Sequence, residues 1–408
     1  MDFFNVISVG EAKERLLKRV KNKYLKIETI NLVQALNRVL AEDIVSDINV
    51  PEFNRSTVDG YAIQSKDSYG ATETVPSLLN YKGEVSMGTK TDLEVNPGEA
   101  VYVPTGGMIP NGADSVVMIE NAENMAGESI FVYKPISNGE NLILKGDDIK
   151  KNQTILSVGK KLTPQDIGVL AAIGKKEIKV FKKPRFYVIS TGDEIIDLDE
   201  ELKMGKIRDI NGYALHALIE SVGGEVVAKS IVRDEFDLLR DEVKKGIDAS
   251  DLVLISGGSS VGVRDYTYDV INSFDGEGIF IHGISIKPGK PTLVGEANGK
   301  IVFGLPGHPV SSIIVFKVLV EHLIEGVMNT RRQRKKTKAI LDFNVHSNPG
   351  KETYHMVKLE ERKGNLYAIP NWGKSGMITL LSESNGYIII SSEEEGINKG
   401  DERQVYFL

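Results

Sequence analysis

Three carboxylates and two lysines between positions 194 and 290 of this 408-residue chain are placed to meet a charged ligand. Glu194, Asp234 and Asp265 each follow a different strand-like run. Carboxylates arriving from separate strand ends can converge on a divalent cation. Lys287 and Lys290 lie in Lys287-Pro288-Gly289-Lys290-Pro291-Thr292, where prolines stiffen the loop that carries the two charges. Ser256-Gly257-Gly258-Ser259-Ser260-Val261-Gly262 is dense in glycine and hydroxyls directly after an apolar run, so its backbone can approach phosphate oxygens without side-chain obstruction. Its spacing is neither Walker A nor GxGxxG. Ser190-Thr191-Gly192-Asp193-Glu194 and Gly304-Leu305-Pro306-Gly307-His308-Pro309 complete four unusual loops. Each has a plainer alternative: a tight turn for the glycine run, an exposed surface turn for the lysines, a helix cap for each acid. Asp234 and Asp209 both stand where helices begin, and for Asp234 capping and metal binding both stay open.

The elements that must position these loops alternate in type after Lys183-Pro184. Strands are expected at 186–190, 225–232, 252–256, 292–294 and 301–303. Helices are expected at 212–222 and 235–247, with a long one starting at Pro309. Strands separated by helices imply right-handed crossovers and a mainly parallel sheet. In such a sheet ligands sit beyond the carboxyl ends of the strands, so all four loops are expected at one rim, holding a phosphorylated ligand.

Elsewhere the text changes character. Ser8-Val9-Gly10-Glu11 reads as a capping box opening a helix with Ala12, Leu16 and Val20 on one face. A second helical pattern covers 32–40. From 58 to 136, short apolar runs alternate with Gly83, Gly88, Pro97-Gly98, Gly106-Gly107 and Asn111-Gly112, the turn chemistry of a β domain. Thr163-Pro164 marks a further helix start. Strand-like runs at 339–345, 354–359 and 387–391 end the chain. The expected fold class is therefore multidomain α/β plus β. Its parts are an N-terminal helical and linking domain (1–46 with 144–180, discontinuous), a β-rich insertion domain (47–143), the central α/β domain with its mainly parallel sheet (181–328) and a small, barrel-like β domain (335–408). The basic run Arg331-Arg332-Gln333-Arg334-Lys335-Lys336 reads as a solvated linker, with nucleic-acid binding or localisation as the lesser alternative.

Composition narrows the class. A chain that is 41% hydrophobic and 26% charged suits soluble globular domains, and the absence of cysteine removes disulfides, thiol nucleophiles and zinc-thiolate sites. The net charge of −7 argues against general nucleic-acid binding. The six histidines lack metalloprotease spacing. No signal-like N-terminus and no long apolar run appear, so a cytoplasmic location without membrane attachment is expected.

Taken together, Pro51 to Ala62 (PEFNRSTVDGYA), Val103 to Asp114 (VPTGGMIPNGAD) and the four loops, in that order, resemble the molybdopterin molybdotransferase family, the MoeA, gephyrin E-domain and plant Cnx E-domain proteins. The resemblance spans nearly the whole chain and implies a MogA-like central domain. It implies an elongated homodimer whose active sites are shared between subunits. Catalytic roles carry over to Asp59, Thr105, Glu194, Asp234 and Asp265, with Asp59 and Thr105 reaching the site from the partner subunit and Glu194 and Asp234 holding Mg²⁺. Ligand contacts carry over to Ser190, Thr191, Gly192, Gly257, Gly258, Ser259, Ser260, Gly262, Lys287, Pro288, Gly289, Lys290, Pro306, Gly307, Pro309 and Ser375, the last from the C-terminal domain. The implied reaction consumes adenylylated molybdopterin and molybdate, or tungstate, and releases AMP. The molybdopterin adenylyltransferase is an implied protein partner. Asn54, Ile143-Leu144, Gly283 and His308 depart from the family pattern. Two other readings compete: a molybdopterin adenylyltransferase-like enzyme, and a gephyrin-like scaffold.

Overall fold

The run Leu252–Ser256 is buried at every residue, and its apolar side chains divide between two separate cores. That double burial makes it the centre of a sheet covered on both faces. The computed structural model describes residues 6–20, 26–257, 266–328, 330 and 335–408. In it the central domain runs β1 (Arg185–Thr191), α1 (Ile210–Ser221), β2 (Glu225–Val232), α2 (Phe236–Ala249), β3 (Leu252–Ser256), α3 (Tyr266–Asn272), β4 (Gly278–His282), β5 (Leu293–Ala297), β6 (Lys300–Leu305) and α4 (Pro309–Val315).

The sheet order is β2-β1-β3-β6-β5-β4. The pairs β2/β1, β1/β3 and β3/β6 are parallel, while β5 runs antiparallel to both its neighbours. Side chains alternate between the faces with the period of two that a strand imposes. Phe186, Val188, Leu252 and Leu254 join one core with Leu215 and Ile219 of α1. Tyr187, Ile189, Val253 and Ile255 join the other with Leu239, Val243 and Ile247 of α2, one stripe of an amphipathic helix. The chain leaves β1 toward β2 on one side and returns to β3 on the other, so the strand order reverses between β1 and β3.

The helix starting at Pro309 continues beyond α4 through a π-helical segment, Phe316–Val320, into Glu321–Val327, and packs on the first core. The N-terminal helix Val9–Val20 buries Ala12, Leu16 and Val20 in that same core. Ser8 caps it, its Oγ accepting the Glu11 amide at 3.1 Å. At the C-terminus, Glu352–Arg362, Asn365–Pro370, Lys336–Leu341, Glu402–Phe407 and Gly386–Ile390 pair in that order, and the last pairs back to the first, closing a barrel. Ile286–Lys287 adds to this barrel in parallel with Glu352 and Thr353.

By contacts the chain divides into two units, one made of Met1–Thr29, Asn37–Ala41 and Lys179–Leu408, the other of Ile30–Leu36 and Glu42–Ile178. The second unit holds a six-stranded sheet ordered Ser115–Met118, Gly60–Ile63, Glu99–Val103, Ser77–Glu84, Ser129–Val132, Ala122–Met125. It also holds the helix Pro164–Ala172, where Thr163 and Asp166 form the capping box and Pro164 opens the first turn.

The helix expected at 32–40 does not form; a single 3₁₀ turn, Leu32–Gln34, stands in its place. Val33 and Leu36, which would lie on its apolar face, are exposed, and Asn37 takes a left-handed φ of 64° that ends any helical path. Val39 and Leu40 are buried in extended chain instead, Leu40 bridging Val180. Most of the basic run, 331–334, lies outside the described residues.

Candidate functional site

The reversal of strand order between β1 and β3 leaves a crevice beyond their carboxyl ends, and a cavity of about 980 Å³ opens there. Its floor is Ser190 and Thr191 at the end of β1 and Ser256 and Gly257 at the end of β3. Gly257 has φ +106°, and a Cβ there would lie 2.1 Å from the Thr191 carbonyl oxygen. Glycine is thus required for the two loops to touch. The walls come from Glu194, Ile207, Arg208 and Asp234 on one side and from Lys287, Pro288, Gly289, Lys290, Pro306, Gly307, His308 and Pro309 on the other. Lys351, Ser375 and Gly376 reach it from the C-terminal domain.

Most of the site residues expected from sequence therefore line one cavity. Gly192 does not; it lines a neighbouring cavity of about 450 Å³ with Asp193, Lys203, Lys206 and Arg233. Any Cβ on Gly192 would come within 3.0 Å of both Glu194 carboxylate oxygens, so its contribution is to let that carboxylate fold back over the loop. Gly258, Ser259, Ser260, Gly262 and Asp265 lie outside the described residues. Asp59 and Thr105 belong to the other compact unit and hold each other, the Thr105 amide donating to Asp59 Oδ1 at 2.7 Å.

The two acids at helix starts separate in role. Asp209 is the N-cap of α1: buried, it accepts the Gly212 amide and the Ser190 hydroxyl, each at 2.8 Å, and the Lys229 ammonium at 3.3 Å. Asp234 is not a cap, for the N-cap of α2 is Glu235, which makes no side-chain capping bond. Instead the Thr191 hydroxyl donates to Asp234 Oδ1 at 2.5 Å, turning the carboxylate toward the cavity it lines with Glu194. Two carboxylates on one wall offer the oxygen donors that suit a hard cation such as Mg²⁺. Among the described residues, no three acidic or imidazole side chains cluster into a metal site.

Asn211, Arg208, Ser311 and Lys351 line the cavity without having been singled out in the sequence. Asn211 Nδ2 donates to the Gly307 carbonyl at 2.7 Å and to Ser256 Oγ at 2.8 Å, tying the loop after β6 to the end of β3. A carbonyl only accepts, so this bond also settles which way the amide points. Asn211 follows the Asp209 cap by two residues; that cap is the one sequence signal that could have led to it. Ser375 is held from both sides, its Oγ 2.8 Å from His308 Nδ1 and its carbonyl accepting the Val310 amide at 3.1 Å. An amide at the start of α4 is thus used by the C-terminal domain.

Behind Lys287, His355 of the barrel is half-buried and packs edge-on against Trp372, ring centroids 4.8 Å apart. Burial, and then the charge of Lys287, push its imidazole down to about 4. It is neutral beneath a cationic loop.

An α/β domain with this strand order, a cavity at its switch point, a closed β-barrel behind and a separate β-rich unit define a multidomain ligand-binding protein of the α/β class. Family models match in the same sequence of parts: "MoeA N-terminal region (domain I and II)" over 7–174, "Probable molybdopterin binding domain" over 187–326 and "MoeA C-terminal region (domain IV)" over 338–408. A protein of Methanocaldococcus jannaschii named for molybdopterin biosynthesis is 34% identical over 410 residues, 98% of this chain and 97% of that one. The molybdopterin molybdenumtransferase of Staphylococcus aureus is 33% identical over 399 residues, 97% of this chain and 94% of its own. The crystal structure of the molybdopterin biosynthesis MoeA protein from Pyrococcus horikoshii superposes with a TM-score of 0.84 at 36% identity, covering 99% of each chain. The chain belongs to the MoeA family.

Proposed function

We propose that this chain is a molybdopterin molybdotransferase of molybdenum cofactor biosynthesis, which takes adenylylated molybdopterin and molybdate, releases AMP and leaves molybdenum on the dithiolene. The observation that carries this reading is the switch-point cavity, where backbone from Gly257 and Gly307 and the cations Lys287, Lys290 and Lys351 surround a space shared with Glu194 and Asp234. A polyanionic substrate needs close backbone approach and fixed positive charge, and cleaving its pyrophosphate needs oxygen donors for a cation. Family membership over almost the full length supports the same conclusion.

In this reading Glu194 and Asp234 hold Mg²⁺, with Asp265 orienting the reacting groups. When bound, the ion polarises phosphoryl oxygen and lowers the pKa of a water. The Thr191 hydroxyl fixes the Asp234 carboxylate. Lys287, anchored where Ile286–Lys287 joins the barrel, and Lys290 counter the substrate's charge. Ser375, fixed by His308 and Val310, supplies a hydroxyl from the last domain. The protein acts as a cytoplasmic homodimer, and Asp59 and Thr105 complete the site of the partner subunit. Its proposed domains are 1–46 with 144–180, 47–143, 181–328 and 335–408, the helix Val9–Val20 of the first packing on the core of the third; the adenylyltransferase that makes its substrate is its partner, and tungstate is an alternative metal substrate. No described helix is long and apolar enough to cross a membrane.

The test incubates purified protein with adenylylated molybdopterin, Mg²⁺ and molybdate or tungstate, following AMP release and metal retained on the pterin. AMP release well above a protein-free control is expected, with Glu194→Ala near the control. Wild-type protein that releases none overturns the proposal, and adenylylated product from ATP and molybdopterin alone would make the chain an adenylyltransferase instead.

A further inference from the structure

The segment from Glu194 to Arg208 forms a strap along one wall of the cavity. Ile195–Ile196 pairs in parallel with Ile207–Arg208. The Arg208 guanidinium donates to the carbonyls of Leu198, of Asp197 at 3.3 Å and of Glu200 at 3.4 Å. These bonds fold the strap on itself. Besides the bond from the Asp209 amide to the Ile196 carbonyl at 2.9 Å, Asp197 attaches it to α1 and the sheet beneath, its carboxylate accepting the Tyr213 hydroxyl at 2.8 Å and the Lys229 ammonium at 3.3 Å.

Lys229 stands on β2, and its ammonium also reaches Asp209, at 3.3 Å. Its side chain is only 15% exposed and that of Asp209 1%, while Asp197 is 43% exposed. The ammonium lies 4.0 Å from the Tyr213 ring centroid. α1 makes room for the pair with Gly212, where a Cβ would fall 2.1 Å from Asp209 Oδ2 and 3.0 Å from Lys229 Cδ. A half-desolvated lysine persists only where partners compensate it. Burial works against the charged form, but Asp209 and then Asp197 outweigh it and hold Lys229 above its ordinary value. One cation thus joins two carboxylates with different attachments. Asp209 belongs to the floor, where it fixes Ser190 and the start of α1; Asp197 belongs to the strap that begins at Glu194.

We infer that Lys229 is a positioning residue, the clamp that fixes the Glu194-bearing strap against the floor of the cavity, so that Glu194 and Asp234 keep the separation their ligand requires. The inference rests on the proposed function for the role of Glu194, not for the clamp itself. Hydrogen exchange on the unliganded full-length protein tests the clamp without any activity. Asp197→Asn and Lys229→Met are expected to speed exchange across 195–208 about tenfold, Lys229→Met to speed exchange at 210–212 as well, and Lys229→Arg, which can still bridge both carboxylates, to remain near wild type. In the AMP-release assay Asp197→Asn is expected to raise the Mg²⁺ concentration for half-maximal rate about tenfold with kcat at saturating Mg²⁺ little changed, the size of effect typical of groups supporting a metal ligand. Unchanged exchange across 195–208 in Asp197→Asn overturns the inference, and so does a fall in kcat that excess Mg²⁺ does not restore. Should Lys229→Met not fold, Asp197→Asn decides alone, since its exposed side chain can change without burying an unpaired charge. If wild-type protein releases no AMP, the proposed function fails while the exchange result still stands or falls by itself.

Discussion

At the scale of single residues, the site works by fixing polar groups that would otherwise choose among several partners. Asp234 is turned by Thr191, Ser375 by His308 and Val310, and Asn211 by Gly307 and Ser256. Asn211 Oδ1 is nonetheless buried with no hydrogen-bond partner among the described residues, and so is the Nε2 of His355. Its pKa in the folded protein is about 4, below the ordinary 6.5, so between those values the unfolded chain binds a proton that the folded chain does not. Its contribution to stability is complete above pH 6.5 and is lost as pH falls through about 4, amounting to about 3 kcal/mol at most. Urea unfolding at pH 7 and pH 5 is therefore expected to show a steeper loss of stability in the wild type than in His355→Gln. Equal slopes would mean that the imidazole titrates normally.

At the scale of elements, the cavity exists because β1 and β3 end side by side and their loops are allowed to touch. Gly257→Ala places a Cβ against backbone that cannot retreat, at a left-handed φ. It is expected to cost about 1–3 kcal/mol and to cut AMP release by separating the two loops. Gly299→Ala, at φ +78° in a turn with nothing within 4 Å of the added carbon, serves as the control and is expected to cost about 1 kcal/mol with activity kept. Chemical denaturation alongside the assay checks both. Elements are also where the sequence was read best. The bounds of β2 and β3 were legible to the residue, because each β-branched-rich run lies between a glycine and a charged flank, Gly224 and Arg233 for β2, Asp251 and Gly257 for β3. The pattern at 32–40 misled because Leu32, Val33, Leu36, Val39 and Leu40 have helical spacing, yet Asn37 and the pairing of Leu40 with Val180 favour extended chain.

At the scale of the whole molecule, Asp59 and Thr105 sit in one compact unit and the α/β cavity in the other. If each site of a homodimer draws Asp59 from one subunit and Glu194 from the other, randomly mixed Asp59→Ala and Glu194→Ala protomers assemble one intact site in half of the dimers. About a quarter of wild-type activity is then expected from two inactive preparations. Activity no greater than the sum of the two alone would place each site within a single subunit.

What the sequence determined by itself was local: which runs are strands, where glycine and proline break them, and which loops follow apolar strands with carboxylates or lysines. Those properties are set by propensity and periodicity within a few residues. Which of two acids at helix starts becomes a cap, that Asn211 ties two loops together, that Gly192 faces a second cavity, and that Lys229 joins a strap to a floor were decided only by tertiary structure. Each depends on what a strand or helix far away in the chain brings within 3.5 Å. A hydrogen bond has no sequence period, whereas the burial of an apolar face does.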